Sequence, residues 1–166
     1  MFTPPDNKEM TKRYRKDKGG ICGQACLAVI RRDTIKNILN MWRRQGLEFK
    51  GYSGWKQLIG FLRVYGHNVK QCRGTFQYSP SQFYIARVQW IGDMPNKDKP
   101  FYGWKHWTEA SAHTHFIVLE RSMFFCNETG WDDYLNLTKY LQANNGIITS
   151  YLEIEKVEVH HVTVQT

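Results

Sequence analysis

The chain has 166 residues, 42% of them hydrophobic and 23% charged, and a formal net charge of +8. That length fits one domain with a real core and leaves little room for a second. The composition excludes a disordered chain, no run approaches the roughly 18–20 apolar residues of a membrane-spanning helix, and the positive balance favours an acidic partner, a protein surface or a nucleic acid.

Residues 1–20 read as an irregular basic segment. Its "MFTPPDNKEM" lacks the apolar core of a secretory leader. "KEMTKRYRKDKGG" (8–20) sets Lys8, Lys12, Arg13, Arg15, Lys16 and Lys18 against Glu9 and Asp17. "GGICGQACLAVI" (19–30) then turns from glycines to a nearly continuous apolar run. Residues 22–31 are therefore expected as a buried helix. Asp33 can cap a second helix over 33–46, with Ile35, Ile38, Leu39 and Trp42 on one face and Gly46 at its end. Ser53 can cap a third over 53–66, with Trp55, Leu58, Ile59 and Leu62 sharing a face.

The period then changes. "FYIARVQWI" (83–91) alternates like a strand. Residues 92–112 read as a long polar and aromatic loop containing Tyr102, Trp104 and Trp107. "HFIVLE" (115–120) and "MFFCNETG" (123–130) read as a hairpin turning at 120–122. A short helix is expected from Asp132 or Asp133 to Gln142, and one or two strands close the chain. Helices first and mostly antiparallel strands afterwards predict a single α+β domain, with the helix at Cys22 lying against a sheet.

Four cysteines stand at 22, 26, 72 and 126. Helical spacing makes Cys22 and Cys26 poor disulfide partners, and the missing leader favours free thiols in a reducing cytosolic setting. Cys72 and Cys126, like Cys26, read as ordinary core residues. Cys22 is different, because it falls at a helix N-terminus, where unpaired N–H groups stabilise a thiolate. A nearby imidazole can take its proton. His115 opens a strand and Asn127 follows the next, so an asparagine that fixes the ring's tautomer is within the same hairpin. His113 competes with His115 for the same role.

These residues carry a resemblance. "CGQACLAV" (22–29) resembles the nucleophile segment of papain-like cysteine peptidases. It is most similar to the bacteriocin-processing, double-glycine peptidase domains. The resemblance implies a papain-like fold, Cys22 as nucleophile, Cys26 as a core residue, His115 as base and Asn127 as its orienting partner. It also implies that Trp131 shields the Asn127–His115 bond. Two positions depart from the family pattern. Lys16 stands where the family has an oxyanion-hole glutamine, and Ile21 replaces the aspartate before the nucleophile. Lys16 or Gln24 is then the candidate second oxyanion donor beside the backbone N–H of Cys22.

The expected function is hydrolysis of a protein or peptide amide bond, with Tyr102, Trp104, Trp107 and Trp131 walling the groove and no cofactor. Deamidation of a protein glutamine uses the same groups. The compact size suits an effector or phage factor acting in a host cytoplasm. The alternatives are an inactive scaffold that binds an acidic protein or nucleic acid, the latter through the basic segment with Tyr14, Trp42, Arg43 and Arg44, and a zinc site of Cys22, Cys26, His113 and His115. Self-cleavage at Gly19-Gly20 is a further, weaker alternative.

Overall fold

The computed structural model describes residues 1–15, 20–47, 53–93, 101–143 and 145–155. Four helices come first: α1 (Asn7–Arg15), α2 (Cys22–Arg31), α3 (Ile35–Arg44) and α4 (Trp55–Val64). Strands β1 (Val69–Arg73) and β2 (Phe83–Trp90) follow. Helix α5 (Trp107–Ala112) precedes β3 (Thr114–Glu120), β4 (Met123–Cys126) and β5 (Gly130–Asp133). A 3-10 turn (Tyr134–Asn136) leads into α6 (Leu137–Ala143), and β6 (Gly146–Ile154) ends the described elements. The strands form one antiparallel sheet in the order β1-β6-β2-β3-β4-β5. The α+β class expected from the sequence therefore holds.

A core lies on each face of this sheet. Ile85, Phe116, Val118, Phe125, Leu152 and Ile154 meet the first four helices, with Leu27, Trp42 and Phe61 fully buried between them. On the other face Tyr84, Ala86, Val88, Ile117, Leu119, Phe124 and Cys126 pack under Leu137 of α6. The strict alternation of β2 and β3 between the two sets follows from the two-residue period of a strand.

The helix ends depart from expectation in instructive ways. Thr34, not Asp33, caps α3: its Oγ1 accepts from the Asn37 N–H at 3.0 Å. Asp33 instead accepts from Thr34 N–H and from Asn37 Nδ2. Ser53 does not cap α4. The helix starts after Gly54, whose N–H donates to Gln57 Oε1 at 3.0 Å. Ser53 lies against Gly23, where an added Cβ would collide with its hydroxyl.

The expected irregular N-terminal segment is corrected: residues 7–15 are helical. Helix α1 buries little beyond Met10 and Asn7, so its sequence carries no strong apolar period. It is held by polar docking. Asp6 accepts from the N–H groups of Ile35 and Lys36, both at 2.9 Å, and so caps α3 from outside. Asn7 Nδ2 donates to the Asn127 carbonyl at 2.9 Å.

Three other differences concern the second half. β1 and β5 are strands that local patterning did not mark, and both are edges of the sheet. The expected loop over 92–112 contains α5. The helix expected to begin at Asp132 or Asp133 begins as the 3-10 turn, where Asp133 Oδ1 accepts from Leu135 N–H at 2.8 Å. The β3–β4 turn is the one expected. Arg121 and Ser122 both have positive φ, the geometry of a two-residue hairpin that matches strand twist. Among the described residues no helix is long and apolar enough to cross a membrane.

Candidate active site

Helix α2 lies against β3, and their meeting point is the N-terminal end of both. Cys22 is the first residue of α2, half-buried, and follows the fully buried Ile21. The β3–β4 ladder runs only as far as Val118 paired with Phe125. The first residues of β3 thus have no ladder partner on the β4 side, and Cys22 lies near two of them, His115 and Phe116. The ring of His115 and the backbone N–H groups of Phe116 and Gly23 are the groups near its sulfur that favour a negative charge there. As the first helical residue, Cys22 also has an N–H with no acceptor one turn earlier.

Burial raises the cost of a Cys22 thiolate. The charge and hydrogen bond of His115, with the two backbone donors, outweigh it and lower the thiol's pKa. On the His115 side, burial favours the neutral ring. The charge of Cys22 and hydrogen bonds to Cys126 and Cys22 overcome that and raise the imidazole to about 10. The contrast with Cys26 one turn on is instructive. Cys26 is enclosed by the core, and burial pushes its thiol well up. Cys22 is thus in the environment of a reactive thiol and Cys26 in that of an inert one.

His115, not His113, is beside Cys22. The His113 ring is stacked on Trp104 with centroids 3.7 Å apart, and its Nδ1 is 2.8 Å from the Glu109 carbonyl. His115 lies under Trp90, centroids 6.2 Å apart and planes 26° from parallel.

Asn127 is not where the resemblance put it. Its Nδ2 donates to Thr11 Oγ1 at 3.1 Å, and its carbonyl accepts from Asn7 and Thr11. The group beside His115 Nε2 is the Cys126 sulfur, at 3.3 Å. The reason is strand parity. Leu119 pairs with Phe124 and Val118 with Phe125, so Cys126 shares a face with Ile117 and His115, while the next residue turns away. Cys126 was expected to be an ordinary core thiol. Its place at a strand end, two residues after Phe124 and across from the strand that His115 opens, was the available signal.

The remaining expected site residues are dispersed. Gln24 is fully buried and its amide makes no hydrogen bond among the described residues. Burial thus sets Gln24 apart from the solvent-facing donor expected beside Cys22. Lys16 lies outside the described residues. Trp131, on β5, packs on Phe125 and donates from Nε1 to the Phe2 carbonyl at 3.2 Å. It ties down the N-terminus and does not cover a bond to His115. Tyr102 and Trp107 are 43% and 65% exposed. Trp104 is tied to the end of β2 by its Nε1, 2.9 Å from the Trp90 carbonyl. The loop therefore reaches the site through Trp90, which also faces His115.

All four cysteines are free thiols. Among the described residues no group of three or more His, Cys, Asp or Glu is arranged to hold a metal ion, so the zinc set Cys22, Cys26, His113 and His115 is not assembled. A cleft of about 720 Å³ opens beside Asn127 and Thr129, floored by Asn7, Lys8, Thr11 and Lys12 of α1. Neither Cys22 nor His115 lines it.

No protein-family model matches the chain, and no curated protein matches it.

Proposed function

We propose that the protein is a thiol hydrolase of papain-like design, acting on an amide bond of a protein or peptide. The observation that carries this reading is the coupling of Cys22 and His115 at the shared N-terminal end of α2 and β3. A half-buried cysteine whose thiolate is favoured by a neighbouring imidazole and by nearby backbone N–H groups has the character of a nucleophile. The thiolate attacks the carbonyl carbon, and the backbone N–H of Cys22 faces the oxygen that becomes negative. His115 gives its proton to the leaving amine. Water then attacks the thioester, His115 takes the water's proton, and the acid product leaves with Cys22 restored.

The test uses the intact chain and a diverse peptide mixture, with products read by mass spectrometry. The wild type is expected to cut at a restricted set of sequences, and Cys22→Ala to lose at least about a thousandfold in rate. Equal cleavage by the two proteins, or a Cys22 whose alkylation follows an ordinary thiol near 8.5, refutes the reading. Release of ammonia from protein glutamine without chain cleavage would assign the same site to deamidation.

A further inference from the structure

Resting on the reading of Cys22 as nucleophile, we propose that Cys126 is the third member of the site. It is a positioning residue that accepts the Nε2–H of His115 and leaves Nδ1 as the ring's basic nitrogen.

The geometry around this sulfur is one-sided. His115 Nε2 is 3.3 Å away. The Tyr140 hydroxyl, from α6, donates to it at 3.6 Å. The backbone N–H of Thr129, in the turn after β4, also favours negative charge on it. A thiol holds one proton, and a sulfur that faces the ring nitrogen and the Tyr140 hydroxyl serves best as an acceptor, most of all as a thiolate. Burial works against that anion, but the hydrogen bond and the charge of His115, with Tyr140 and the Thr129 N–H, lower the Cys126 thiol to about 6. Cys126 is only 2% exposed, so it does not meet substrate and acts only through the ring.

An asparagine in this place would orient the imidazole. An anion does more, because it also stabilises the imidazolium that forms when Cys22 loses its proton, as a buried aspartate does in a serine triad. The proton account is simple. The Nε2 proton stays between ring and Cys126, while the second proton passes from Cys22 to Nδ1 and on to the leaving amine. Trp90, stacked over the ring, restricts its rotation. With Nε2 engaged by Cys126, Nδ1 is the nitrogen this proposal assigns to Cys22.

The test is the pH dependence of iodoacetamide modification at Cys22, followed on the Cys22 peptide by mass spectrometry. It is run for the wild type and for Cys126→Ser, Cys126→Asn and Cys126→Asp. Cys126→Ser, close in shape but not anionic, is expected to move the Cys22 profile up by about one pH unit and slow labelling at pH 6 about tenfold. Cys126→Asp is expected to restore the wild-type profile, and Cys126→Asn to fall between. A low wild-type profile unchanged in Cys126→Ser overturns the role of Cys126 and leaves Cys22 as nucleophile. An ordinary wild-type profile overturns both. A second measurement needs no variant: in histidine ring ¹⁵N spectra of the wild type, Nε2 of His115 is expected to stay protonated when the ring is neutral. A neutral ring protonated at Nδ1 overturns the proposal.

Discussion

The ring of His115 has its Nε2 nitrogen 3.3 Å from the Cys126 sulfur, while the side chain of its neighbour Asn127 bonds Thr11 on α1. The two adjacent residues thus do separate jobs. Cys126 faces the ring of His115, and Asn127 anchors the first helix.

Asn127→Ala is expected to separate those jobs. It removes the bond to Thr11 and should cost about 1 kcal/mol of stability. The Cys22 labelling profile should stay as in the wild type. A shift in that profile without loss of stability would return the orienting role to Asn127. Urea unfolding and the labelling assay on one preparation decide it.

The pH behaviour of His115 follows from the direction of its shift. The folded state favours the imidazolium, so the ring should hold its proton past the usual 6.5 and titrate near about 10. In Cys22→Ala the partner charge is gone and the titration should move down. Proton NMR of the ring C–H against pH reads both. A wild-type titration near 6.5 would mean that no thiolate faces the ring.

Gly23→Ala tests how closely α2 fits the start of α4. The added methyl would meet the Ser53 hydroxyl and lie 3.3 Å from Leu58 Cδ2. Overpacking of this kind costs about 1–3 kcal/mol. It should also displace Cys22 and slow its labelling. Adding Ser53→Gly should recover much of the loss, and thermal melts of the two proteins provide the comparison.

Asp6→Ala removes both acceptors that cap α3 from outside. The expected loss is about 1–2 kcal/mol. Because α1 docks through the same corner, amide exchange should rise in residues 7–15 before it rises in β3. Uniform exchange through both would show that α1 is not held by this cap.

The helices at 35–44 and 55–64 were legible because each carries an apolar stripe long enough to show its period, and 22–31 because its nearly continuous apolar run marks a buried helix. The hairpin of β3 and β4 was legible because two β-prone apolar runs flank a short turn at 120–122. What stayed hidden depends on contacts far apart in sequence. Helix α1 is nearly all polar and exists because Asp6 and Asn7 find partners on α3 and in the turn after β4. The edge strands β1 and β5 have few buried residues, so their sequences show no alternation. At the site, Cys22 and His115 stood out because of residue type and position. The residue beside the His115 ring depended on register, and a single step past the end of β4 exchanges Cys126 for Asn127. Gln24 looked available from its place on the first turn of α2, but the packing of that helix encloses it.

The position of β6 between β1 and β2 has a consequence for the order of assembly. A nascent chain that has emerged only to residue 145 already carries Cys22, His115 and Cys126, yet β1 and β2 have no strand to join them. The centre of the sheet stays unfilled until residues 146–154 arrive, and such late, distant pairing is intrinsically slow. Ribosome-held chains stopped before residue 146 should therefore show an ordinary, unactivated thiol at Cys22, with reactivity switching on as the last strand is threaded into place.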